Sequence, residues 1–161
     1  MLLERILAAA PVHAAVYGWW QHGDDGGIGE WRGVHLSSQF GKITVCTVGA
    51  NNLSVHSGAR LPGPLKQRPI QYGSLDRKVY VTFVLSDGDN FGMNLYPIYG
   101  RLWEQLSRGA VPMGWGICPT QVELTPAAVE YWYRTASDQD LFVAMDGLGY
   151  VYPDVYGAAL G

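Results

Sequence analysis

Charge is scarce in this chain. Only 16 % of its 161 residues are Asp, Glu, Lys or Arg, and the formal net charge is −3. Nucleic-acid binders carry a basic face, so no nucleic-acid partner is expected. A hydrophobic content of 48 % excludes a disordered chain, which combines low hydrophobicity with high charge. Long apolar runs are missing: none approaches the roughly 18 residues of a membrane span, and no membrane partner is expected. Cysteine is limited to Cys46 and Cys118, each inside an apolar run. Two buried thiols are the expected reading rather than a disulfide, and they say little about compartment. The N-terminal MLLERILAAAPVHAA has Glu4 where a secretory leader has a basic segment, and its apolar stretch is very short. It reads as an amphipathic helix. There is no nucleophile elbow, P-loop, nucleotide-binding glycine fingerprint or HExxH motif.

Glycine, proline and aromatics are what the chain has in quantity. The 21 Gly and 9 Pro make about 19 % of it, against a usual share of roughly 12 %. Of the aromatics, 6 are Trp and 10 are Tyr. The hydrophobic pattern alternates between short β-branched runs and helical spacing. Strands are expected near 15–20, 42–49, 79–86, 112–118 and 141–147. Helices are expected over 2–9, 29–40 with Gly41 ending it, and 95–108, where Leu95, Ile98, Leu102 and Leu106 recur and Gly109 can stop the helix. A further helix opens at Thr125, a candidate cap, with Pro126 at its first position and Val129, Trp132, Tyr133 and Ala136 on its apolar face. Residues 50–77 read as an irregular loop without a helix. Strand alternating with helix implies parallel βα units, and several strands are apolar on both faces, as in a covered sheet.

In such sheets function gathers beyond the carboxyl ends of the strands. Those ends carry His22, Asp24 and Asp25; Asn52 and His56; Asp87, Asp89 and Asn90; and Asp146, Tyr150 and Tyr152. Glycoside hydrolysis needs two carboxyl groups across one bond, one of them held protonated. Asp87 and Asp89 follow the clearest strand, and Asp146, ending the fifth, is the best partner for them. Asp24, Asp25 and Glu30 are lesser candidates, with Glu30 also suited to the first turn of its helix. Other readings stand beside this one. Asp87 can brace a turn held by Asn90, and Asp146 can be a turn residue before Gly147. DGDN also resembles half of a calcium loop, so Asp87 and Asp89 could hold a cation, though the later bidentate Glu is absent. No other cofactor and no resident metal are expected. Trp20, Tyr150 and Tyr152 offer apolar faces with polar tips, which suit sugar rings and equally suit ordinary packing. Strand alternation lets at most one of Trp19 and Trp20 face a cleft, and mid-strand Trp115 is read as core.

The segment GLGYVYP at 147–153, with Gly147, Gly149, Tyr150, Tyr152 and Pro153 at the fixed positions, resembles the signature of a family of proposed glycoside hydrolases named for its GxGYxYP motif. SDGDN at 86–90 is similar to that family's loop after a barrel strand, and NLSVHSG at 52–58 and the GW pair near 18–20 are similar as well. The likeness spans roughly residues 15–157. One departure is Asp146, where the family commonly has Ser. The resemblance implies a TIM-barrel-like α/β domain acting on carbohydrate. Asp87, Asp89 and Asp146 are then the catalytic candidates, and Trp20, Asn52, His56, Asn90, Tyr150 and Tyr152 the substrate-binding ones. A carbohydrate-binding or scaffold domain without turnover is the alternative. The resemblance also allows a secreted or periplasmic parent.

A closed (β/α)₈ barrel takes about 250 residues. Five strands in 161 residues therefore lead to the expectation of a single, incomplete barrel-like domain over 1–161, covered by the remainder of a barrel or by self-association.

Overall fold

The computed structural model describes residues 2–21, 27–69, 73–85, 90–95, 99–144 and 147–161, the side chains of 90, 91 and 93 excepted. The chain begins with α1 (Leu2–Ala9), then β1 (Ala15–Gly18), α2 (Glu30–Gln39) and β2 (Ile43–Cys46). A one-turn helix, α3 (Leu53–His56), precedes β3 (Phe83–Leu85). Two short helices, α4 (Asn90–Leu95) and α5 (Tyr99–Trp103), lead to β4 (Met113–Ile117). Then come α6 (Gln121–Leu124), α7 (Pro126–Thr135), β5 (Asp140–Ala144) and a 3₁₀ turn at Pro153–Val155.

All strand pairings are parallel, as the alternation of apolar runs and helices requires, but they form two sheets rather than one. β1 pairs with β2, Gly18 opposite Cys46, and β3, β4 and β5 lie side by side in that order. Among the described residues the strands form no closed barrel. The break has a visible cause at β2. In a parallel ladder alternate residues turn their backbone groups to alternate sides. The Thr44 N–H and C=O, which would serve a third strand, are taken by Tyr150 in an antiparallel bridge.

The core lies on one side of the three-stranded sheet. Trp115 of β4 is 2 % exposed, as expected of a core residue. Tyr99 meets its ring edge-on at 5.3 Å between centroids, and Trp103 does so at 4.9 Å. Such pairs add about 0.5–1.5 kcal/mol each beyond the area they bury. From α7, Val129 and Trp132 are buried in the same cluster, with Tyr133 and Ala136 packed against it, the face expected from sequence. Cys46 and Cys118 are both buried and free of disulfide.

Four local expectations need correction. The strand expected over 79–86 is, among the described residues, only Phe83–Leu85, and residues 79–82 ahead of it are exposed and lie in no strand. The single helix over 95–108 is instead α4 and α5. Tyr99 and Trp103, four apart on one face, bury in place of the expected leucine stripe, and Leu106 is fully exposed. Consequently Gly109, in the left-handed region at φ +88°, ends no helix, because α5 already stops at Trp103. The region 50–77 does contain a helix, α3, entered from Asn52 at φ 60° and ψ 35°. Thr125 precedes α7 without a side-chain capping bond, because its hydroxyl donates back to the Gln121 carbonyl at 3.3 Å. Pro126 does take the first position of α7, and Gly41 follows α2 at φ +65°.

β3 is the exposed edge of its sheet. Val79 and Val81, just before it, are 88 % and 71 % exposed, and Phe83 is 55 % exposed.

Candidate functional site

The signature segment is a docking element between the two sheets. Gly147 sits at φ +59°, where L side chains are strained. At Gly149 an added Cβ would lie 2.6 Å from the Thr44 carbonyl oxygen and 2.9 Å from Ile43 Cγ2. Only glycine lets the backbone come this close. Tyr150 then donates its N–H to the Thr44 carbonyl at 2.8 Å and accepts from the Thr44 N–H at 3.2 Å. Tyr152 donates its N–H to Ser38 Oγ at 2.9 Å, and that hydroxyl donates to the Val34 carbonyl within α2. Pro153 opens the 3₁₀ turn, where its fixed φ is an advantage.

This docking brings the tyrosine rings over the first turn of α2. The Tyr150 hydroxyl donates to Glu30 Oε1 at 3.3 Å and lies 3.3 Å from the Tyr152 hydroxyl. The hydrogen bond with Tyr152 and then burial push the Tyr150 phenol well above its ordinary range, with the Tyr152 and Glu30 charges adding to the shift. Trp19, just past β1, stacks on Tyr150 at 6.3 Å, and His35 of α2 meets Tyr152 at 5.9 Å. The result is a carboxylate, two phenols and an indole within one cluster. Such a set offers hydrogen-bond donors and acceptors beside flat apolar faces.

The raised phenol has a thermodynamic consequence. A tyrosine whose folded pKa exceeds its unfolded value of about 10 contributes stability that is fully present below pH 10. That contribution is lost as pH rises through the folded pKa. Tyr150→Phe is therefore expected to lose about 1 kcal/mol at neutral pH and to fall less steeply than wild type between pH 10 and 11. Urea unfolding across that range checks it, and parallel slopes for the two proteins would contradict it.

Trp20 is placed differently. Its indole N–H donates to Thr44 Oγ1 at 3.3 Å, and its ring occupies the space a Cβ on Gly33 would need, 2.2 Å from Trp20 Cγ. Of the neighbouring pair, Trp19 is the ring beside Tyr150. Asn52 and His56 line another concavity, of about 570 Å³, together with Asn51, Thr125 and Tyr131. That lining includes neither Tyr150 nor Tyr152. Asn90 is the first residue of α4. Asp87, Asp89 and Asp146, with His22, Asp24 and Asp25, lie outside the described residues.

The strand ends nonetheless gather. The parallel ladder puts the carboxyl ends of β3, β4 and β5 together. A Cβ on Gly92 of α4 would fall 1.8 Å from the carbonyl oxygen of Val48, just past β2. Past β4, Cys118 Sγ lies 2.8 Å from Thr120 Oγ1 and 3.9 Å from the Gly147 carbonyl oxygen. Gln121 Oε1 accepts the Cys118 N–H, while Gln121 Nε2 is buried with no partner among the described residues. Among those residues no three His, Cys, Asp or Glu side chains gather to hold a metal.

Residues 77–160 match the family model "GxGYxYP putative glycoside hydrolase C-terminal domain", and residues 1–58 match the model "GxGYxYP third domain". Among solved structures, the chain is similar to one described as a "putative hydrolase" from Bacteroides thetaiotaomicron VPI-5482. The TM-score is 0.81 at 32 % identity, and the match covers 96 % of this chain and 30 % of that one. This chain thus spans under a third of that relative's length. No curated protein matches it.

Proposed function

The chain belongs to the GxGYxYP family, and from that premise we propose that it forms part of a glycoside hydrolase acting on carbohydrate at the carboxyl ends of its parallel strands. The observation that carries this reading is the meeting of Glu30, Tyr150, Tyr152 and Trp19. The family's own signature supplies two of those four side chains, and together they have the chemistry a sugar ring requires. Asp87 or Asp89 supplies one carboxyl group of the hydrolytic pair and Asp146 the second. Trp20 braces this end of the sheet, and Asn90 contributes a substrate contact. The parallel βα units are part of a larger barrel, and the remainder of that barrel covers the exposed apolar residues at β3.

The test is hydrolysis of a panel of neutral oligosaccharides, followed by release of reducing ends. Asp87→Asn, Asp89→Asn and Asp146→Asn are measured beside wild type. Removing a true acid or base is expected to lower kcat about 10²–10⁴-fold without weakening saccharide binding. Wild-type turnover in all three variants would remove those aspartates from the mechanism. Binding without any turnover by the whole protein that carries this chain would instead establish a carbohydrate-binding role.

A further inference from the structure

The concavity of about 570 Å³ has a lining of its own. Gly49, Ala50, Asn51, Asn52 and His56 form one wall, and Leu95, Thr125, Ala127, Ala128 and Tyr131 the other. The first wall falls in the segment matched by the third-domain model and the second in the segment matched by the C-terminal model. Ligand clefts form preferentially at such junctions, and sites of about 300–1,000 Å³ are of the size that holds small molecules.

The chemistry of the walls narrows the ligand. Among the described residues the lining holds no Asp, Glu, Lys or Arg, so none of them offers an ion a countercharge. Two amides, an imidazole and a phenol share the lining with the apolar Leu95, Ala127 and Ala128, while the Thr125 hydroxyl already donates to the Gln121 carbonyl. This suits an uncharged molecule with many hydroxyls and an apolar face. Asn52 adds an independent observation. It holds a left-handed conformation, φ 60° and ψ 35°, yet its side chain makes no capping bond to α3. Asparagine is one of the few non-glycine residues that adopt this conformation routinely, and without a capping bond its amide is left to the cleft it lines.

We propose that this cleft is a second saccharide subsite. It binds an uncharged sugar unit through Asn52, His56 and Tyr131, on a lining separate from the tyrosine cluster. The proposal rests on the carbohydrate reading above. The test is calorimetric titration of the chain with hexasaccharides of glucose, xylose, mannose and N-acetylglucosamine, and with hexagalacturonate as the acidic probe. Asn52→Gly removes the amide while relieving the backbone, so a loss of affinity in that variant reports the side chain and not a disturbed loop. Asn52→Gly, His56→Ala and Tyr131→Phe are each expected to weaken binding of the neutral hexasaccharide about three- to tenfold, the worth of one hydrogen bond. Asn52→Gly is expected to leave the thermal midpoint unchanged or higher. Wild-type affinity in all three, with weakened binding in Trp19→Ala and Tyr150→Phe, would overturn the subsite and leave the function standing. Preference for hexagalacturonate would overturn the uncharged ligand. No binding of any saccharide by wild type would overturn the subsite and the carbohydrate reading together.

Discussion

Asp140→Asn is expected to destabilise the protein by about 3–5 kcal/mol at pH 7, the usual result of breaking a buried ion pair from one side. Asp140 begins β5 and is 3 % exposed. Its Oδ2 accepts from Arg108 Nη1 at 2.5 Å and from the Ser137 N–H and hydroxyl at 2.7 Å each, and Oδ1 accepts from the Trp115 indole at 2.8 Å. Burial alone would raise this carboxyl group. The two Ser137 bonds, the indole bond and the Arg108 guanidinium outweigh burial and hold it below the ordinary carboxylate range. The amide of Asn preserves shape but turns a donor toward groups that are themselves donors. It also leaves Arg108, which packs over the Trp103 ring at 4.3 Å, without its countercharge. A depressed carboxylate contributes stability that is present above its unfolded value of about 3.9 and lost as pH falls through the folded value. The gap between wild type and Asp140→Asn is thus expected to narrow as pH drops below 4. Urea unfolding at pH 7 and pH 3 measures both halves, and an unchanged gap would show that the charge of Asp140 is not what matters.

The strands were legible because their signal is local. Ile43–Cys46 and Met113–Ile117 are runs whose burial a sequence pattern reports directly, and helices between them dictate parallel pairing. The leucine spacing over 95–108 was just as regular and misled. It competed with Tyr99 and Trp103 for the same sheet face, and the aromatic pair fits around Trp115. Tyr150 and Tyr152 were legible as site candidates through the signature. The partner they find, Glu30, is 120 residues from Tyr150. Its one sequence signal, an acid after a strand-end loop, equally marks an ordinary helix start. Asn52 and His56 were grouped with the tyrosines because they too follow a strand. The cleft they line includes neither tyrosine, since Tyr150 is fixed on the edge of β2 at Thr44. Helix α3, which carries His56, was missed because four residues make too short a period to detect.

The second large effect is expected at the signature's middle glycine. Gly149→Ala should lower stability by about 2–3 kcal/mol, the upper part of the range for overpacking a close contact. For a chain of this length that is on the order of 5–10 °C in Tm. The new methyl group would meet the Thr44 carbonyl oxygen at 2.6 Å. That atom is backbone inside a parallel ladder with β1, so it cannot swing aside as the end of a side chain can. The bridge must open instead, and the paired bonds between Thr44 and Tyr150 lengthen together. Displacing Tyr150 carries its hydroxyl away from Glu30, so loss of fold stability and loss of saccharide binding should appear in the same variant. Gly147→Ala provides the comparison. Its added Cβ meets nothing within 4 Å, so only the left-handed backbone is penalised, by roughly 1 kcal/mol. Thermal unfolding of the two variants, with saccharide titration of each, separates close approach from backbone conformation as the reason for the two glycines. Equal Tm values for Gly149→Ala and wild type would mean that the signature does not hold the sheets together at Thr44.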